Sequence, residues 1–133
     1  AIGTHDQTIT SVDTSYAFPI SLGLSASGGS RSADDLVSVR ITSATNAQLE
    51  INSSSTVTVA YQIVEMSSSE IASVQEASTA ITAATNDVTV TSVDAAKSLI
   101  FASANQLGGN VVNRQIPILS LTSSTNLRFQ TAL

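Results

Sequence analysis

Apolar and polar positions alternate with a period of two along much of this chain. Val57, Val59, Tyr61 and Ile63 share one face of 56–65, while Thr58, Ala60 and Gln62 share the other. Leu49 and Ile51 alternate with Gln48 and Glu50. Leu127 and Phe129 alternate with Asn126, Arg128 and Gln130, and Val88 and Val90 alternate with Thr89 and Thr91. Successive side chains of a β-strand point to opposite faces, so this pattern predicts half-buried strands. Thr on the outer positions suits a pleated, partly exposed surface. Turn-forming clusters separate the runs: Ser-Gly-Gly-Ser at 27–30, Asn-Ser-Ser-Ser at 52–55, Ser67–Ser69, Thr-Asn-Asp at 85–87 and Gly-Gly-Asn at 108–110. Their recurrence predicts roughly ten short antiparallel strands and an all-β fold, a single β-sandwich domain over 1–133.

The stretch 67–83 permits two readings. Ser67-Ser68-Ser69-Glu70 has the form of a capping box, and Ile71, Val74, Ala77 and Ile81 would share one side of a helix. The alternative is a strand pair, 71–75 and 79–83, and it is the reading adopted.

The pattern also repeats. Thr8-Ile9-Thr10-Ser11-Val12-Asp13 returns as Thr89-Val90-Thr91-Ser92-Val93-Asp94, five of six residues identical at an offset of 81. Gly28-Gly29 returns as Gly108-Gly109, and Ile41-Thr42-Ser43-Ala44-Thr45-Asn46 as Leu121-Thr122-Ser123-Ser124-Thr125-Asn126, both at an offset of 80. Ser/Thr richness inflates such matches, but the shared Asp, Asn and Gly-Gly are not low-complexity letters. Each copy, about 8–52 and 89–131, reads as a Thr/Val strand ending at Asp and a short apolar strand (16–24; 97–102). A Gly-Gly loop, a longer strand (36–43; 111–122), a turn at Thr-Asn and a closing strand (48–52; 127–131) follow. A duplicated sandwich with pseudo-two-fold character accounts for this, since two separate domains of half this length would have little core.

Composition narrows the function. Ser and Thr supply 39 of 133 residues, Lys and Arg five, Asp and Glu ten, for a net charge of -5. So acidic a chain is poorly suited to phosphate backbones, which argues against nucleic-acid binding. It has no Cys, hence no disulfide framework and no thiolate metal site. No apolar run approaches the roughly 20 residues of a membrane helix, and no signal peptide is evident, so no membrane role is expected. Leu, Ile, Val and Phe total 36, which places the chain above the composition of disordered proteins.

Candidate chemistry is sparse. His5 is the single His and reads as a solvated terminal residue rather than a catalytic base. Asp34 and Asp35 follow the first Gly-rich loop and are weak Ca²⁺ candidates, because the spacing is not that of an oxygen-rich calcium loop. Asp13, Asp94, Asn46 and Asn126 occupy matched positions and read as turn formers. There is no Gly-x-Ser-x-Gly elbow and no phosphate loop. The five aromatics, Tyr16, Phe18, Tyr61, Phe101 and Phe129, read as core rather than as a sugar-stacking platform. No catalytic residue, cofactor or enzymatic activity is expected.

Three phrases carry a resemblance: Val59-Ala60-Tyr61-Gln62-Ile63-Val64-Glu65, Ser73-Val74-Gln75, and Val90-Thr91-Ser92-Val93-Asp94-Ala95-Ala96-Lys97-Ser98. Together over about 56–130 they resemble a pattern in uncharacterised β-rich structural proteins of tailed phages. The chain departs from that pattern at Glu76-Ala77, where Arg-Gly is usual, and at Tyr16, which stands opposite Lys97 in the repeat. The resemblance implies a virion protein without catalytic residues. A starting Ala fits removal of an initiator Met, which leads to the expectation of a complete small protein. Absence of Cys suits folding in a host bacterial cytoplasm.

The expectation is a capsid decoration (cement) protein on the surface of a phage head, bound to the major capsid protein and/or to copies of itself as a homo-oligomer. The alternatives are a tail or fibre subunit, binding a host surface through the Gly-Gly loops, and a secreted carbohydrate-binding or adhesin module. Residues 1–7 are expected to form a flexible or docking N-terminal arm. Interface candidates are Ala1, Ile2, His5, Gly28, Gly29, Gly108 and Gly109.

Overall fold

The structure is a computed structural model and describes residues 2–26, 35–53, 56–104 and 118–130. These residues form an all-β fold of eight strands in three antiparallel sheets, with no α-helix among them. The strands are β1 (Gly3–Thr8), β2 (Ala17–Ala26), β3 (Val37–Ser43), β4 (Asn46–Ile51), β5 (Val57–Glu65), β6 (Thr85–Thr89), β7 (Ile118–Ser123) and β8 (Asn126–Gln130). The chain divides into two compact units, Ala1–Val74 with Ser103–Asn110, and Gln75–Ala102 with Val111–Leu133.

The first unit holds a three-stranded sheet, order β1-β4-β3, and a two-stranded sheet, β2-β5. Register puts Val37 opposite Ile51, Val39 opposite Leu49 and Ile41 opposite Ala47. Alternation therefore sends these six apolar side chains to one face. Gly3, His5 and Gln7 of β1 join that face, opposite Ile51, Leu49 and Ala47. The core lies here: Ala17, Val37, Val39, Ala47 and Ile51 are buried. Strand β2 packs beside β3. A bulge between Ser21 and Gly23 leaves Leu22 out of the ladder and 63% exposed. Gly23, at φ +157°, supplies the backbone conformation this bulge uses.

The second unit holds the sheet β6-β8-β7. Leu119 pairs with Phe129, and Leu121 with Leu127. Val88 lies across from Leu127 on the other side. None of the described residues of this unit is buried.

The two three-stranded sheets agree in detail. Each hairpin has a bulge at the same place, Ile41/Ser43 and Leu121/Ser123. Ile9 N–H donates to the Thr45 carbonyl at 3.0 Å, and Val90 N–H to the Thr125 carbonyl at 3.0 Å. Val12 N–H reaches the Ala44 carbonyl at 2.9 Å, and Val93 N–H the Ser124 carbonyl at 2.8 Å. Ser15 N–H donates to Asp13 Oδ1 at 2.9 Å, and Ala96 N–H to Asp94 Oδ1 at 3.0 Å.

Several sequence expectations are corrected. The run Thr8–Asp13 is the exit from a strand, because the backbone of Ile9 and Val12 bonds to turn carbonyls instead of a neighbouring strand. Residues 3–7 of the expected arm belong to strand β1, which pairs along its length with β4. This segment lacks an alternating apolar signal and is ordered by its partner. Residues 85–87 are strand, not turn. The segment 67–83 is neither helix nor strand pair. Ser67 donates through Oγ and N to Glu70 Oε2 at 2.8 and 3.3 Å, so the capping box forms one turn. Further on, Val74 N–H donates to the Ser15 carbonyl. The Gln75 side chain bonds both backbone groups of Thr91, accepting at 2.8 Å and donating at 3.0 Å. Those bonds replace the helical and ladder ones. Residues 97–102 form no strand: a 3-10 turn over Ala95–Lys97, capped by Asp94, leads into irregular chain. Asn46 and Asn126 open β4 and β8, and no non-Gly residue among the described ones has positive φ.

Candidate interface groove

The first unit holds a three-stranded and a two-stranded sheet, with β2 packed beside β3. A groove of about 420 Å³ is lined by residues of both sheets. Its walls are Val37, Leu49 and Ile51 from the three-stranded sheet and Val57, Val59 and Tyr61 from β5. His5, Gln7 and Thr56 supply its polar rim. The alternation on each strand accounts for these walls, since 57, 59 and 61 share one face of β5, as 49 and 51 do on β4. Such a site can bury apolar side chains and orient them through a few polar groups.

The opposite face of the same sheet is polar. Asn46 Nδ2 donates to Asp6 Oδ1 at 2.9 Å and to Thr42 Oγ1 at 2.6 Å. Gln48 donates to Asp6 at 3.1 Å and receives the Arg40 guanidinium. These amide hydrogen bonds, Asn46 first and then Gln48, hold the Asp6 carboxyl below its ordinary range. The second unit repeats the arrangement with a charge. Asn126 Nδ2 donates to Asp87 at 3.1 Å and to Thr122 Oγ1 at 2.6 Å, while Arg128 forks onto Asp87 at 2.8 and 2.9 Å. The Arg128 hydrogen bonds, then the Asn126 bond, bring the Asp87 carboxyl down to about 2. Both networks are exposed, and each ties three strands together at a hairpin mouth.

No family model, no curated protein and no solved structure matches this chain.

Of the candidate residues, Ala1, Gly28, Gly29, Asp34, Gly108 and Gly109 lie outside the described residues. Ile2 is 69% exposed, just before β1. His5 lines the groove. Asp35 is buried and receives a hydrogen bond from Ser53 Oγ at 2.6 Å, which ties the start of β3 to the end of β4. Among the described residues no cluster of three His, Asp or Glu side chains is placed to hold a metal ion. Phe101, expected in the core, is half exposed, and its neighbour Leu99 is 83% exposed. Sequence reasoning missed two features here. The walls of the groove were readable as strand faces, but not that residues of two sheets would line one groove. The exposure of Leu99 was hidden because 97–102 looks like a strand.

Proposed function

We propose that this chain is a non-catalytic structural protein of a virion, a capsid decoration protein bound to the outside of a phage head. The observation that carries the reading is apolar surface left to be covered: the open groove of the first unit, and Leu99 and Ile118, 83% and 68% exposed, in the second. Such surface marks a site where another protein packs. The phage-like phrases over 56–130 supply the kind of partner, the major capsid protein at joints between capsomers. A protein that binds only the assembled shell shifts assembly toward it. The matched order, bulges and hydrogen bonds of β1-β4-β3 and β6-β8-β7 support descent from one duplicated unit, and we infer a sandwich as the parent architecture.

The test is quantitative mass spectrometry of purified particles. A copy number comparable to that of the major capsid protein is expected. A count of a few tens would remove the decoration role and favour a tail or fibre subunit instead.

A further inference from the structure

We infer that β1 pairs edge to edge with β1 of a second copy about a two-fold axis at His5, joining two β1-β4-β3 sheets into one sheet of six strands. Three observations converge on this.

The first is the edge. β1 stands at the end of its sheet, and among the described residues β4 is its one ladder partner. The register runs from Gly3 opposite Ile51 to Thr8 opposite Asn46, and Ile9, the next residue, donates to the Thr45 carbonyl at 3.0 Å. In an antiparallel ladder, alternate residues exchange both backbone bonds with the partner strand. Ile9 sets the phase: Gly3, His5 and Gln7 turn their backbone groups to β4, while Thr4, Asp6 and Thr8 turn theirs outward. Among the described residues, the outward amides and carbonyls of Thr4 and Asp6 meet no partner. Such a row is a template for another strand, and edge strands are ordinarily guarded by Lys, Pro or a bulge. β1 has none of these. Thr4 to Thr8 are all exposed, whereas β6, the matching edge strand, keeps Asn86 and Val88 partly buried.

The second is self-complementarity. A two-fold axis normal to the sheet keeps the faces of both copies, so outward-turned residues pair among themselves. With His5 opposite His5 of the second copy, Thr4 lies opposite Asp6 twice over, and Gly3 opposite Gln7. The next register one way sets Asp6 against Asp6, and like charges directly opposite are destabilising. The next register the other way leaves only residues 3–5 of the strand paired. Asp6 takes its amide bonds from Asn46 and Gln48 both on Oδ1, which leaves Oδ2 for the Thr4 hydroxyl of the second copy.

The third is charge. Copies of a chain with net charge -5 repel one another, so a contact between them needs a place where carboxylates are few and held. β1 carries one carboxylate, and β4 holds it through Asn46 and Gln48. On the other face, the groove lining contains His5 and Gln7 and no carboxylate. The axis therefore sets two grooves side by side on one face of the joined sheet. The same strand serves both copies, so the contact is isologous and closes at a dimer.

This inference goes beyond capsid binding: a monomer that decorates heads would overturn it and leave the decoration reading standing. The first test is sedimentation velocity of the purified full chain over a range of concentrations. A concentration-dependent dimer is expected, and a monomer throughout overturns the inference. Thr4→Pro removes an outward N–H that its own sheet does not use, and should sediment as a monomer. Persistence of the dimer in that variant, folded by circular dichroism, overturns pairing through β1. The second test reads the register, using the absence of Cys from the chain. His5→Cys brings two thiols together at a non-hydrogen-bonded pair, where Cα atoms lie about 4.5 Å apart, within reach of a disulfide. Mild oxidation should turn this dimer into a covalent one. Gln7→Cys separates the two thiols by four residues, about 13 Å along the strands, and should stay uncross-linked. A dimer that fails to cross-link at position 5, or cross-links equally at position 7, overturns the proposed axis. If Thr4→Pro does not fold, the two Cys variants decide.

Discussion

Ala47, at the centre of β1-β4-β3, is fully covered, whereas Leu127, in the matching place of β6-β8-β7, stays partly exposed. The two sheets share strand order, bulge position and hairpin hydrogen bonds. They differ in their company: among the described residues only the first unit holds a second sheet, β2-β5, with β2 packed beside β3. The agreement shows that local chemistry is enough to build this three-stranded element: a bulge, a Ser hydroxyl facing the turn and an Asn bridging two strands. The difference shows that, among the described residues, burial goes with the presence of the second sheet and not with the three-stranded element by itself.

The largest expected effect tests that difference. Ile51→Ala removes a buried side chain and should cost about 2–5 kcal/mol. Leu119→Ala, at a half-exposed position on the matching face of β7, should cost about 1 kcal/mol. Urea unfolding of both variants measures the contrast. Slower hydrogen exchange in β4 than in β8 should accompany it. Equal losses would break the comparison, because they would mean that the second sheet is as well covered as the first.

A middle-sized effect tests the agreement. Asn46 and Asn126 each bridge a carboxylate on one strand and a Thr hydroxyl on another, with distances that match to within 0.2 Å (2.9 and 2.6 Å; 3.1 and 2.6 Å). Asn46→Ala and Asn126→Ala should each lose about 1 kcal/mol, and by equal amounts, since the bonds are alike and similarly exposed. A loss at one site only would mean that the shared geometry is energetically unshared.

The sequence disclosed the parts that depend on local rules. The period-two runs located β4, β5 and β8 closely, and Asp13 and Asp94 do hold turns, each accepting from the backbone N–H two residues on. The first strand was illegible because Gly-Thr-His-Asp-Gln-Thr has no apolar residue. Its order comes from β4, a partner some forty residues away. The reverse failure occurs at Leu99–Phe101, where apolar composition suggests a strand but the chain runs irregularly after the 3-10 turn at Ala95–Lys97. The groove was invisible in the sequence because the apolar faces were readable, but which strands come together to line it is a tertiary property.

The smallest effect separates the two polar faces. Asp6 and Asp87 occupy matching positions, opposite Gln48 and Arg128. A carboxyl lowered on folding contributes stability that is fully present above its unfolded value. That contribution is lost as pH falls through the folded one. For Asp87 the window runs from the ordinary 3.8 down to about 2, and for Asp6 it is narrower. Both groups are exposed, so the contribution is small and screened by salt. Arg128→Gln exchanges the guanidinium fork for an amide, and the Asp87 titration midpoint should rise toward that of Asp6. Gln48→Arg should move Asp6 the other way. NMR titration of the two carboxyl groups reads both shifts. If Asp87 kept its low midpoint without Arg128, the Asn126 amide would be the dominant partner, and the two sheets would be alike on their polar faces as well.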